Sequence, residues 1–373
     1  MTLFLIAVSL LYALFTLILW ITWVRIPFFK PLAAVPHQPY ISVVIPVRNE
    51  ANTIGKLLAD LNQQSYPQFE VIVADDSSSD HTVSIVRSCV QSVSFNLQLL
   101  ALTDEPTSSP KKRAISQSIA QAKGDLIVTT DGDCRVGPAW LATIASFYQS
   151  TGAKLISGPV TFTAEHTVSD SLQTVEFASL IGSGACTMAL GMPTMCNGAN
   201  LCYEKQAFSE VGGFSGIDHI ASGDDEFLMH KIANRYPKAI RFLKSPEAIV
   251  STSPHQSWKA FYNQRKRWAS KWRMYQSWGP SLLAVFIFLS NAAPVLAVVA
   301  WLFNTISSST ALLVIGLKAL PEFLFLRQVL LFLQKNKQVP TIPLTQLIYP
   351  VYVVFFGLVA QQTGYYWKDR KLK

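Results

Sequence analysis

The sequence predicts a mostly parallel α/β domain held to a membrane by one helix before it and two to three after it. Two observations predict the α/β part: short apolar runs alternate with helical stretches, and three of those runs end in polar clusters. A third predicts the membrane part: half of the 373 residues are hydrophobic and the mean hydropathy is +0.28. That is too apolar for an ordinary soluble enzyme. The length accommodates one domain of about 200 residues and several spans.

The elements follow in order. Leu3 to Val24 carries no charge and is long enough to cross a bilayer. A cleaved signal peptide is the alternative, but the segment before it lacks Lys or Arg and no small-x-small site follows. Arg25 and Lys30 come next, and positive charge after the helix puts the following domain on the cytoplasmic side. The first strand is Tyr40 to Pro46, rich in β-branched residues, with a polar turn at Arg48-Asn-Glu50 and a helix to about Gln63. The second strand, Phe69 to Ala74, runs into Asp75-Asp-Ser-Ser-Ser-Asp80, and a helix reaches about Cys89. The third strand is Leu97 to Leu102, Lys111 to Lys123 is helical, and the fourth strand, Asp125 to Thr130, ends at Asp131. Alternation of this kind implies a parallel sheet, and unbroken apolar runs fit strands covered on both faces.

Trp258 to Tyr275 is a helix with Trp258, Phe261, Tyr262, Trp268, Ala269, Trp272 and Tyr275 on one stripe, flanked by Lys259, Lys266, Lys271 and Arg273. Basic residues around an aromatic face suggest a helix lying in the membrane interface, with pure anchoring as the plainer role. Three apolar stretches follow. Ser281 to Thr305 and Ile342 to Gln361 are uncharged, while Thr310 to Leu333 contains Lys318, Glu322 and Arg327. If all three cross, the C-terminus lies outside, although Lys368, Arg370, Lys371 and Lys373 favour the inside. The charged stretch is therefore the one expected to be re-entrant or interfacial.

The net charge is +8. Much of it flanks the membrane stretches, which suits anionic lipid headgroups, and no nucleic-acid motif is present. Five cysteines, without metal-type spacing, read as free thiols in a reducing compartment. The six histidines are scattered and read as structural or solvated.

In open α/β sheets ligands bind at the carboxyl ends of the strands. Here three ends carry polar clusters, at Pro46 to Glu50, Asp75-Asp76 and Asp131-Gly-Asp133, and these would converge on one crevice. Two carboxylates in one tight turn repel unless a cation joins them. A hard divalent ion completed by substrate phosphates is the usual solution, and a helix-capping turn is the alternative. Asp76 suits a nucleotide base edge and Asp75 a loop-holding role. Lys111, Lys112 and Arg113 open a helix, where cations oppose the dipole unless a bound anion offsets them. Asp224-Asp-Glu226 also opens a helix, and three acids exceed what capping needs. One of them suits a general base.

The ordered set of motifs resembles family 2 glycosyltransferases, inverting enzymes of the GT-A fold. The matching pieces are Val43 to Glu50, Ala74 to Asp80, Ala122-Lys-Gly-Asp125, Asp131-Gly-Asp133, Gly223-Asp-Asp225 and Gln264-Arg-Lys-Arg-Trp268. The resemblance implies that Pro46, Asn49 and Glu50 line the nucleotide site and that Asp76 contacts the base. It implies that Asp131 and Asp133 hold a divalent ion, Mg2+ or Mn2+, and the diphosphate, with Asp133 the more direct ligand. Asp225 matches the catalytic aspartate and Asp224 stands for the family's glutamate. Gln264, Arg267 and Trp268 match the QxxRW motif that binds donor diphosphate. Lys111 matches the family's lysine, but Pro110 replaces the glycine before it, so Lys111 and Lys112 both stay candidates. Asn197, Gly198 and Ala199 resemble the segment under the donor sugar, or form a structural turn.

The expected division is an N-terminal transmembrane helix (1–26), a GT-A catalytic domain (38–255), an amphipathic interfacial helix with QxxRW (256–278) and C-terminal membrane helices (280–366). The expected reaction is transfer of a sugar from a nucleotide-sugar donor, a UDP-sugar being commonest in the family, to a membrane lipid or lipid-linked acceptor. The location implied is the cytoplasmic face of a bacterial-type membrane. QxxRW occurs both in lipid glycosyltransferases such as the ceramide glucosyltransferase group and in processive polysaccharide synthases. Few spans and an interfacial aromatic helix favour the lipid. A nonenzymatic sugar-nucleotide sensor would not need Asp225, and a phosphohydrolase would need an aspartate near the first strand, where none stands.

Overall fold

The computed structural model describes residues 1–31, 38–103, 107–163, 165–270, 278–359, 365–367 and 370–372. A long helix, α1 (Thr2–Arg25), precedes the α/β unit, which opens as β1 (Ile41–Val47), α2 (Ile54–Leu61), β2 (Phe69–Asp75), α3 (Thr82–Cys89), β3 (Asn96–Ala101), α4 (Pro110–Gln121) and β4 (Leu126–Thr129). These four strands pair in parallel, in the order β3-β2-β1-β4. β2 and β4 are buried along their whole length and β1 nearly so, as the unbroken apolar runs require. The turn from α4 into β4 needs glycine, because a Cβ on Gly124 would lie 2.5 Å from the Ser42 backbone nitrogen.

The second half is α5 (Trp140–Thr151), β5 (Leu155–Ser157), β6 (Val160–Phe162), α6 (Val168–Ala189), β7 (Leu201–Glu204), α7 (Lys205–Glu210), α8 (Asp224–Arg235), β8 (Ile240–Phe242) and β9 (Val250–Thr252). β7 joins β4 antiparallel and carries β5 and β8 beyond it, completing a seven-stranded sheet. β6 and β9 form a separate parallel pair. Then come α9 (Trp258–Ser270), α10 (Trp278–Leu302), α11 (Ser308–Phe332) and α12 (Ile342–Val359).

Four helices are long and apolar enough to cross a membrane, one before the sheet and three after it. The charged stretch, expected to be re-entrant or interfacial, is one continuous helix of 25 residues and is among these four candidates. Two of its three charges are absorbed by packing, while Arg327 is exposed. Lys318 Nζ donates to Glu322 Oε1 at 2.5 Å, one turn away, and the Tyr12 hydroxyl of α1 donates to the same oxygen at 2.5 Å. On α9, Phe261 and Tyr262 turn their rings to Phe356 of α12, while Trp268 stacks inward on Phe177 of α6. Lys271, Trp272, Arg273 and Tyr275, as well as Lys368 and Lys373, lie outside the described residues.

One apolar core runs from the sheet into these helices. It contains Val43, Ile72 and Leu126 of the sheet, Leu19 and Trp23 of α1, and Val329 and Leu330 of α11. α6 joins the two parts, and its Gly182 lets α11 approach, since a Cβ there would lie 2.6 Å from the Val329 side chain. Lys244 closes the end of α1. Its Nζ donates to Trp23 O at 2.6 Å and Ile26 O at 3.0 Å, and sits 4.3 Å from the Trp23 ring centroid.

Candidate active site

The polar strand ends do meet. A Cβ on Gly132 would lie 2.8 Å from Val47 Cγ1 and 3.1 Å from Glu50 Cγ, so the Asp131-Gly-Asp133 turn lies against the end of β1. Pro46 is the penultimate residue of that strand, paired with Ala74 of β2. Asn49 takes a left-handed conformation, φ 55°, which asparagine tolerates better than most residues. Its Oδ1 accepts from Ser79 N at 2.9 Å, and Thr53 Oγ1 donates to Glu50 Oε2 at 3.0 Å. Arg48 ties the two loops together by donating to Asp76 O at 2.5 Å and Ser77 O at 2.9 Å.

Asp75 holds its loop as expected, accepting from Ser78 N at 3.1 Å through Oδ2. Its Oδ1 is buried and has no partner among the described residues. Asp76, also buried, pairs with Arg113 at 2.7 Å. Sequence reasoning had noted Arg113 only as part of a basic run.

Lys111 and Lys112 are adjacent on a helix and so point about 100° apart, which separates their roles. Lys111 Nζ lies 2.8 Å from Asp131 Oδ1 and 3.4 Å from Asp224 Oδ2. Burial acts to lower its pKa, but Asp131, Asp224 and Asp225 outweigh it and hold the ammonium above its ordinary value. Lys112 is buried and donates to the carbonyls of Ile217, Ile220 and Ser222 at 2.6, 2.6 and 3.2 Å. It fastens the loop before α8, whereas Lys111 meets the acids at 131 and 224.

That loop delivers Asp224 and Asp225 to the crevice. Asp225 Oδ2 accepts from Gly198 N at 2.9 Å and Oδ1 accepts from Glu226 N at 2.7 Å. The Asn197-Gly198-Ala199 turn, closed by Ala199 N donating to Asn197 Oδ1 at 2.9 Å, therefore belongs to the crevice floor. A Cβ on Gly198 would stand 3.3 Å from Asp224 Oδ2 and 3.4 Å from Lys111 Nζ. Thr129 at the end of β4 anchors the turn by donating to Gly198 O at 2.8 Å.

The QxxRW helix reaches the crevice from the far side. Arg267 Nη1 approaches Ser222 Oγ at 3.4 Å, two residues before Asp224. Gln264 accepts from Arg265 and hydrogen-bonds His255. Trp268 is spent on packing, between Phe177 and the Arg265 guanidinium. Asp133 Oδ2 accepts from Thr252 Oγ1 at 3.0 Å. His255, three residues on, was read as structural or solvated. Burial lowers its pKa, opposed by the hydrogen bond with Gln264 and by nearby Asp133, and aided by Arg265 and Arg267. No local signal marks it, because Asp133 comes from a distant part of the chain and Gln264 reaches it only from the helix that follows.

Among the described residues no group of three His, Cys, Asp or Glu side chains could hold a metal ion. The donor set at Asp131 and Asp133 is all oxygen, on one tight turn, with a lysine already answering one carboxylate. That set fits a hard divalent ion that takes one or two carboxylates from the protein and its remaining oxygens from a diphosphate.

A profile of the family described as "Glycosyl transferase family 21" matches residues 1–372. Glycosyltransferase AglE of Haloferax volcanii is 31% identical over 189 residues, covering 50% of this chain and 59% of that protein. Poly-beta-1,6-N-acetyl-D-glucosamine synthase of Staphylococcus epidermidis is 26% identical over 275 residues, covering 70% of this chain and 63% of that protein. The chain thus spans 59–63% of the length of these curated relatives. The solved structure of the mannosyltransferase PcManGT from Pyrobaculum calidifontis, in complex with GDP-Man and Mn2+, superimposes with TM-score 0.59 at 19% identity, covering 96% of this chain and 100% of that one. At that identity the likeness shows the fold, and the GT-A architecture expected from the motifs is borne out.

Proposed function

This chain belongs to glycosyl transferase family 21, and from that premise we propose that it transfers one sugar from a nucleotide-sugar donor to a membrane lipid, with inversion. The motif resemblance had pointed to glycosyltransferases of family 2, and the matching profile is that of family 21. One observation carries the reading: Lys111 bridges Asp131, on the strand end that would hold a diphosphate, to Asp224 beside Asp225. Donor-side and acceptor-side acids thereby share one crevice.

The roles follow from position. Asp75 and Asp76 receive the base, the buried unpaired Oδ1 of Asp75 being able to accept an N–H bond. Asn49, Glu50 and Pro46 line the nucleotide. Asp131 and Asp133 hold a divalent ion, which when bound supplies positive charge to the departing diphosphate. Lys111 and Arg267 add fixed positive charge on the protein's side. Asp225 takes the proton from an acceptor hydroxyl, whose oxygen bonds the anomeric carbon as the bond from that carbon to the diphosphate breaks. The hydrogen bond from Gly198 N orients the Asp225 carboxylate for this.

Support for the ion comes also from the PcManGT complex, which contains Mn2+. Support for the lipid comes from four candidate spans, of which α1, α11 and α12 pack against α6 of the catalytic unit. The likeness to a poly-N-acetylglucosamine synthase favours polymer formation as the second reading. The test is a release assay over UDP- and GDP-sugars with membrane lipid extract, read by mass spectrometry of the lipids, with and without a chelator. A single-sugar lipid that disappears on chelation is expected. A long polymer overturns the lipid reading, and full activity under chelation overturns the ion.

A further inference from the structure

Length and composition allow α12 to cross the membrane as α1, α10 and α11 do. Its neighbours place it otherwise. α1, α10 and α11 pack pairwise on one another. Tyr12, midway along α1, donates to Glu322 of α11 and packs its ring on Phe286 of α10, with 6.2 Å between centroids. Glu322 and Phe286 therefore stand at one level of the bundle. Near its start α12 meets that level through Gln346, whose Nε2 donates to Glu322 Oε2 at 3.3 Å and to Ala319 O at 2.7 Å. Near its end α12 meets the same level again, since a Cβ on Gly357 would lie 2.8 Å from the ring of Phe288, two residues from Phe286. Gln346 and Gly357 are eleven residues apart, so about 16 Å of helix lies between them. A helix aligned with the bundle would spread them over that depth. α12 lies across it.

Between those two points α12 touches the catalytic unit. The Tyr352 hydroxyl donates to Glu176 of α6, and Phe356 packs on Phe261 and Tyr262 of α9. α9 is itself tied to the crevice through Arg267 and Ser222. Beyond α12, β10 (Tyr365–Trp367) lies against α9 as well. A crossing helix would carry β10 to the far side of a hydrocarbon core about 30 Å thick, away from α9 and the crevice.

The side chains of α12 divide accordingly. Gln346 and Tyr352 turn to Glu322 and Glu176 inside the protein, whereas Leu344, Leu347, Val351, Phe355 and Leu358 are exposed. One apolar face backed by a polar one suits a helix lying in the membrane interface. The chain after it carries Lys368, Arg370, Lys371 and Lys373. Positive charge collects on one side of a membrane protein, and Arg25 and Lys30 already stand where α1 enters the catalytic unit.

We propose that α12 does not cross the membrane: it lies in the plane of the interface with its apolar face on the acyl chains, and it returns the basic C-terminal segment to the side that bears the catalytic unit. The chain then crosses three times, and the interfacial stretch is α12 rather than the charged α11. The inference holds whatever sugar or acceptor the crevice takes. Two measurements on the full chain test it. In bacterial spheroplasts, one epitope tag before Met1 and a different one after Lys373 are read by antibody before and after permeabilisation. One tag alone is expected to be accessible before permeabilisation, because three crossings put the two ends on opposite sides. Both accessible, or neither, overturns the proposal. In phosphatidylcholine nanodiscs, a genetically encoded fluorescent amino acid at position 347 or 358 is quenched by lipids that carry nitroxides at graded depths. Equal depths are expected at the two positions. A separation of about 16 Å, the rise of a spanning helix over that interval, overturns it.

Discussion

At the scale of single residues, the crevice separates side chains that share a type. Asp225 is held by two backbone N–H groups, and Asp224 by Lys111. Replacing Asp225 by asparagine keeps the size and removes the base, so transfer is expected to fall at least about 100-fold with donor affinity retained, as measured by product mass and calorimetric titration of the sugar nucleotide. His255 has a pKa below its ordinary 6.5, so it is neutral at neutral pH. A lowered pKa means that the unfolded chain binds the proton more readily, so this residue's contribution to stability falls as pH drops below 6.5. His255→Gln is expected to lessen the stability loss between pH 6.5 and 5, read by thermal unfolding in detergent. The carboxylates were legible in the sequence because local pattern marks each: Asp75, Asp76, Asp131 and Asp133 sit at strand ends, and Asp224 and Asp225 open a helix. The partners Arg113, Thr252 and His255 were not, because their roles depend on contacts made across the fold.

At the scale of elements, α9 does more than rest on a membrane. Arg265 Nε and Nη2 donate to Glu176 of α6 at 2.8 and 2.5 Å, and Tyr352 of α12 donates to the same carboxylate at 2.6 Å. This buried knot fixes the helix that carries Gln264 and Arg267. Glu176→Ala leaves Arg265 buried without its carboxylate, so it should cost about 3–5 kcal/mol and lower the melting temperature. Arg265→Met combined with Glu176→Leu should recover much of that loss. Equal melting temperatures for Glu176→Ala and the unsubstituted chain would dispose of the knot. The aromatic stripe of α9 was visible as a period, but periodicity says only that a face is apolar. It could not say that Phe261 and Tyr262 meet α12. The helix α11 was similarly obscured, since Lys318 and Glu322 read as interruptions until they are seen to pair with each other and with Tyr12.

At the scale of the whole molecule, the strand–helix alternation and all four apolar stretches were legible because each is a local pattern. The union of the two parts was not, since it depends on Leu19 and Trp23 entering the same core as the sheet. Removing residues 1–26 should therefore strip that core of a wall and leave Lys244 without its two carbonyls. The expected result is aggregation of the truncated chain in detergent, read by size-exclusion chromatography. A monodisperse, active product would show that the core tolerates the loss. The continuous core also has a kinetic consequence. An enzyme joined rigidly to its spans meets a lipid only by lateral diffusion, so its effective substrate concentration is a mole fraction in a plane. Diluting the acceptor with inert phospholipid should slow turnover, whereas diluting the vesicles in buffer should not.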